Sequence, residues 1–330
     1  MTTAQKTRPV RSREETPSLP SCGIRRTSLF VTGNFPRRRW ATIFVGVLGG
    51  LLLAYAWNPT LVDDDIGFGT ANAILGHDAH RTPITGVVAG ILFSFVSGLA
   101  GTFTACNVAV FSAIGPLVGQ ASSQPSRFLQ IVKPLGWICA GLVPVSAAYG
   151  ALVGAAGTHM PQFATAAGTG LSPRSVQSMV TFGLVGLVMI VLGLAAAGIV
   201  RDPLAAVSRR FPNAPLVLVG SLIGGFLVGR PYPLFRDLFR HAATSHDPLY
   251  GAGVFVLQSV GNIAVMAVLF VLFSYLAGGR FQRWLAAKPT RAAVLTAVAF
   301  LIAGVFTCVY WDVRLLARVG YLWFPPSPWS

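Results

Sequence analysis

Long apolar stretches separated by short polar ones set the layout of this chain, and their lengths predict membrane-crossing helices. Seven reach or approach the roughly 20 mostly apolar residues that a helix needs to span a bilayer. They are residues 40–57, 84–106 with a continuation to 118, 135–156, 176–200, 215–229 with a continuation to 235, 251–276 and 292–311. The predicted fold class is an all-α polytopic membrane protein. Residues 1–38 carry no apolar run, are rich in Pro and Arg, and read as a disordered cytoplasmic tail. The tail is too long for an ordinary cleaved signal peptide, so the first stretch reads as a retained signal-anchor helix. The expected organisation is a tail over 1–38, the anchor and an extracytoplasmic loop over 39–83, a six-helix core over 84–312, and an extracytoplasmic tail over 313–330.

Within the core, residues 85–119 hold the most information. This stretch is apolar throughout, yet Thr104-Ala105-Cys106-Asn107 breaks it in the middle and Gly115-Pro116 breaks it again. Unwound backbone at membrane depth is tolerated only where protein or a water-filled cavity surrounds it. The six core spans divide into two threes around the loop at 201–215, and the first span of the second half is broken too, at Gly229-Arg230-Pro231-Tyr232-Pro233. Three spans per half give the halves opposite orientations. Paired discontinuous helices in two inverted halves point to a site near the midplane. The expectation is a 3+3 inverted repeat with a broken first helix in each half. Gly and Pro are also simply common in membrane helices.

Composition supports the same class and charge orients it. Hydrophobic residues make up 53% and charged residues 11%, against about 25% charged in a soluble domain. The net charge is +15. With the N-terminus in the cytoplasm, 18 of the 25 Lys and Arg fall on cytoplasmic segments: nine up to Arg39, then Arg127 and Lys133, Arg201, Arg209 and Arg210, and four from Arg280 to Arg291. This is the positive-inside bias, with the C-terminus outside. The positive charge therefore meets anionic lipid head groups. No aromatic interleaving or folded module accompanies it, so nucleic acid is not the expected partner. The expected location is a bacterial cytoplasmic membrane.

The core, residues 83–311, resembles the CcdA/DsbD transmembrane family, carriers of reducing equivalents for cytochrome c assembly and extracytoplasmic thiol repair. Its members open each half with a Gly-containing helix that ends in a Pro-Cys motif. Gly90 to Phe95, then Thr104-Ala105-Cys106-Asn107 and Gly115-Pro116, resemble the first copy. Gly225-Phe226 to Pro233, then Tyr250-Gly251 and Ser259-Val260-Gly261-Asn262, resemble the second. The resemblance implies a catalytic Cys106, cytoplasmic thioredoxin as donor and an extracytoplasmic thiol protein as acceptor. Two departures stand against it. Ala105 occupies the place of the proline before the cysteine, and Pro231 or Tyr232 that of the second cysteine. A thiol carrier needs an attacking and a resolving thiol, and Cys139 is the candidate resolving partner. Cys139 and Cys308 also read as small buried hydrophobes, and Cys106 as a soft metal ligand or a packing residue.

Other polar residues extend the candidate list. A substrate path through the breaks would use Thr104, Asn107, Pro116, Pro231, Tyr232, Pro233, Gln258 and Asn262. Gln258 and Asn262 are four apart and share a helix face; bridging helices is their favoured role, lining the path the other. No Asp, Glu, Lys or Arg is expected deep in a span, so a relay of ionisable groups has no candidates. His77-Asp78-Ala79-His80, His241 and His246 fall outside and show no compact set of fixed metal ligands. Arg230, Arg236 and Arg240 flank the second break, to steer an anion or to snorkel. No phosphate loop, nucleophile elbow or zinc-peptidase pair is present, and no cofactor is expected. Two functions remain open: the redox carrier that the resemblance implies, and a permease or exporter of a small solute or metal ion on the same scaffold. A non-catalytic assembly partner lies beneath them.

Overall fold

The computed structural model describes residues 28–31, 33–103, 127–163, 170–229 and 233–326. Every regular element among them is helical. The chain forms α1 (Arg39–Ala56), a π-helical segment (Thr60–Phe68) that runs into α2 (Gly69–Leu75), and α3 (Gly86–Ala100) with a closing 3-10 turn (Gly101–Phe103). Then come α4 (Arg127–Ala156), α5 (Pro173–Ala197), α6 (Ala205–Arg210), α7 (Ala214–Gly229), α8 (Pro233–Thr244), α9 (Pro248–Ala286) and α10 (Pro289–Cys308). A second π-helical segment (Val309–Val313) leads into α11 (Arg314–Arg318). Thr104, Cys106, Asn107, Pro116, Pro231, Tyr232 and the tail up to residue 27 lie outside the described residues.

Five segments are long and apolar enough to cross a membrane: Arg39–Ala56, Lys133–His159, Pro173–Ala197, Pro248–Leu269 and Thr290–Arg318. The bent pair α7 and α8 makes a sixth if counted as one span. The protein is a multi-pass membrane protein. Large apolar side chains stand exposed along the outer faces, Phe44, Leu48 and Leu52 on α1 and Leu184 and Leu187 on α5 among them. A soluble monomer would not leave so much apolar surface in water.

The helices stack in the order α1, α10, α5, α7, α4, α9, α3. Without a hydrophobic drive between helices in lipid, association relies on small residues that let backbones touch. The interfaces follow that rule. Gly46 and Gly50 of α1 take Leu301 and Val305 of α10, so these two helices run parallel. Gly186 and Gly304 each face the other's carbonyl across the antiparallel α5/α10 pair. Gly150 meets Gly251, and Gly154 meets Asp247, across the antiparallel α4/α9 pair.

Two crossings share one design. On α3 and α9, a Cβ on Gly98 would collide with the carbonyl oxygen of Gln258, and one on Gly261 with that of Phe95. On α7 and α4, a Cβ on Gly220 would collide with the carbonyl oxygen of Ile138, and one on Gly141 with that of Val217. In both, each glycine packs on the carbonyl three residues before its partner glycine.

Local sequence explains the helix ends. Ser172 caps α5, its Oγ accepting from the Ser175 N–H at 3.2 Å, with Pro173 in the first turn. Gly198, at φ 77°, ends α5 in the left-handed region that glycine adopts freely. Asp247 starts α9, accepting from the Leu249 N–H at 2.8 Å.

Three boundaries differ from those read in the sequence. The span at 215–229 does not continue straight to 235: the chain turns by 81° between α7 and α8. The reason lies in the pattern after the break, where Leu234, Phe235, Leu238, Phe239, Ala242 and Ala243 are buried while Arg236, Asp237, Arg240 and His241 take the other face. That period belongs to an amphipathic helix lying on the bundle, not to one surrounded by lipid. The loop at 58–83 is helical over much of its length, from Thr60 to Leu75. The last helix continues through Asp312 and Arg314 to Arg318, so ionisable groups do lie within an apolar helical segment.

Candidate functional site

Two polar constellations meet along the seam between α4 and α9. The first closes the end of α7. The last carbonyls of a helix have no partner inside it, and here side chains from α4, from the 3-10 turn Pro161–Phe163 and from α5 supply them. The Val228 carbonyl accepts from Gln177 Nε2 at 2.9 Å, from Gln162 Nε2 at 3.3 Å and from the Tyr149 hydroxyl at 3.4 Å. Both glutamines also donate to the Tyr149 oxygen, each at 3.1 Å. Ser178 Oγ donates to the Gly229 carbonyl at 2.7 Å. The half-helix thus stops in a prepared socket, directly before the break at residues 230–232.

The second constellation lies one to two turns further along α9. Ser259 Oγ and Ser146 Oγ share a hydrogen bond of 2.7 Å between α9 and α4. Thr102 Oγ1 donates to the carbonyls of Gly98 and Asn262, both at 3.2 Å, and so ties the 3-10 turn after α3 to α9. Gln258, Ser259 and Asn262 are all buried. Tyr149 joins the two groups, its ring 5.6 Å from that of Phe255 and three residues from Ser146 on α4.

Gln258 differs from its neighbours. Its residue is 0% exposed, and neither Nε2 nor Oε1 has a hydrogen-bond partner. The expected role as a helix bridge therefore fails for Gln258. Its own backbone carbonyl packs against Gly98 of α3. Ser97, beside Gly98, has a buried hydroxyl oxygen without a partner as well. Burying an amide without hydrogen bonds costs on the order of 1–3 kcal/mol by protein mutational measures.

The thiols show less. Cys139 and Cys308 are free. Cys139 is half-buried against the apolar cluster that contains Ile138, Leu142 and Leu216, as a small hydrophobe would be. Cys308 lies on α10 with its thiol 3.9 Å from the Gly183 carbonyl. No group of three or more His, Cys, Asp or Glu able to hold a metal ion occurs among the described residues. His80 Nδ1 instead pairs with Asp237 Oδ2 at 2.8 Å, and His241 Nε2 with the Tyr250 hydroxyl at 2.9 Å. The Asp78 carboxylate accepts from the Arg81 and His80 N–H groups; the Arg81 bond above all holds its pKa below the ordinary aspartate value.

Of the path residues described, Gln258 and Asn262 lie together, and Pro233 opens α8 past the break. Tyr149, Gln162, Gln177 and Ser178 were not legible as site residues. Their one sequence signal is the placing of glutamines shortly after the end of α4 and in the first turns of α5. Neither a scan of protein-family models nor searches of curated proteins and of solved structures match this chain.

Proposed function

We propose that the protein is a bacterial cytoplasmic-membrane carrier that moves a small polar solute by alternating access. Its core, residues 84–312, is a 3+3 inverted repeat; α1 is an anchor, with the N-terminus in the cytoplasm and the C-terminus outside. The observation that carries this reading is Gln258, a fully buried amide with no partner for any of its polar atoms. A carrier needs hydrogen-bonding groups left open for cargo and its water. Gln258 meets that need, and the unpartnered Ser97 hydroxyl lies on the facing helix α3, next to Gly98.

The repeat is supported by the two glycine crossings. Gly98 and Gly220 lie on the first spans of the two halves, Gly261 and Gly141 on the second spans. Exchanging the halves turns one crossing into the other, down to the carbonyl that each glycine meets. Inverted repeats of this kind rock one group of helices against the other around a central site.

The CcdA/DsbD resemblance supports the same six-span scaffold. Its thiol chemistry rests on Cys106 and needs a resolving partner, and the apolar setting of Cys139 speaks for packing instead. One experiment separates the readings. Gln258→Cys is introduced into a chain whose native cysteines are replaced, and vesicles of both orientations are treated with a membrane-impermeant thiol reagent. The carrier predicts labelling, slowed by the transported solute. A site that stays unreactive from both sides is dry, and the reading fails. A parallel chain keeping only Cys106 and Cys139 tests the redox alternative by formation of a reducible bond between them.

A further inference from the structure

The polar face of α8 carries more positive charge than its surroundings neutralise. Arg236 projects from the first turn of α8 and is partly buried, and its Nε–H is shut away from water with no acceptor. Arg240, one turn further, and Arg174, in the first turn of α5, lie within electrostatic reach of the same guanidinium. Among the described residues, the acid within that reach is Asp237, and its Oδ2 is engaged by His80 Nδ1 at 2.8 Å.

Membrane orientation does not account for this cluster. Arg39, at the end of the basic tail, donates to the Gly198 carbonyl at 2.9 Å, just past the C-terminus of α5. Arg174 stands at the other end of that helix, 24 residues before Gly198, or about 36 Å at 1.5 Å per residue. The arginines therefore gather on the face where the positive-inside rule asks for none. Like charges held together without a counter-ion repel, and a buried N–H without an acceptor adds a desolvation penalty. An oxyanion removes both, because guanidinium forks match its geometry and form charge-assisted hydrogen bonds. The first turns of α5 and α8 add the positive ends of two helix dipoles.

We infer that Arg174, Arg236 and Arg240 form a binding site for a phosphate-like oxyanion at the end of the bundle opposite the N-terminal tail. The group comes either from a free anion or from the head group of an acidic phospholipid; the chemistry of recognition is shared. The site is independent of the carrier reading, since it lies on the rim and does not use Gln258.

The test uses the full chain in uncharged detergent. Thermal unfolding is followed in inorganic phosphate against chloride at matched ionic strength, and separately with phosphatidylglycerol against phosphatidylcholine. A saturable upward shift of Tm with phosphate marks a soluble oxyanion as ligand; a shift with phosphatidylglycerol alone marks the lipid head group. In either case Arg174→Gln/Arg240→Gln weakens apparent affinity by at least about tenfold, the scale of one lost charge-assisted hydrogen bond. Arg236→Lys keeps the charge but loses the fork, so it also weakens binding. The site is refuted if neither anion shifts the Tm, or if the double variant responds like the wild type.

Discussion

At the scale of single residues, the buried polar groups fall into two kinds that substitution separates. The Tyr149 hydroxyl is fully used: it donates to the Val228 carbonyl and accepts from Gln162 and Gln177. Tyr149→Phe strips both glutamines of an acceptor while leaving the ring in place against Phe255. A loss of about 1–3 kcal/mol is expected, the usual cost of orphaning buried partners, read as a lower Tm in detergent. Gln258 makes no such bond, so Gln258→Leu is expected to leave Tm unchanged or raise it. A fall in Tm as large as that of Tyr149→Phe would show that the Gln258 amide is structural and not held open.

Among elements, glycine positions decide which helices can approach. Gly261 and Gly253 lie on α9, but Gly261 packs on the backbone of α3, whereas an added Cβ on Gly253 meets nothing within 4 Å. Gly261→Ala is expected to push the helices apart at a cost of about 1–3 kcal/mol, as overpacking does. Gly253→Ala is expected to be neutral or to gain about 0.5–1 kcal/mol from the lower chain entropy of alanine. Equal thermal shifts for the two would contradict the close crossing. The break after α7 was legible because Pro and Gly interrupt an apolar run, whereas the break expected at 104–116 lies outside the described residues. The direction that the chain takes after α7 was not legible. Leu234 and Phe235 extend the apolar count of the preceding stretch, and the charged residues that make α8 amphipathic begin only at Arg236. The helical course of Thr60 to Leu75 was hidden for a similar reason, since Asp63-Asp64-Asp65 reads locally as a solvated loop.

For the whole molecule, length and composition were enough to place the chain in a membrane, because crossing one demands a run of apolar residues that is visible in any linear reading. Packing partners were not visible. Glycines are frequent throughout, and nothing in the linear order tells Gly98 and Gly261, which touch backbone, from Gly225, which does not. The candidate site was half legible. Gln258 and Asn262 stand out as amides in an apolar helix, whereas Gln162 and Gln177 lie near helix ends, where polar residues are ordinary, and acquire meaning only through the α7 terminus that they close.

That socket bears on how much the protein depends on being one chain. The end of α7 is held by Tyr149, Gln162, Gln177 and Ser178 from earlier in the sequence. On the far side of the break, α8 is anchored by six buried apolar residues of its own. Neither holding depends on the covalent link through residues 230–232. A polypeptide ending at Gly229 and a second starting at Pro233, made together in one cell, should find each other and co-purify through a tag on either. Failure to do so would show that the link itself, and not the socket, keeps the two parts together.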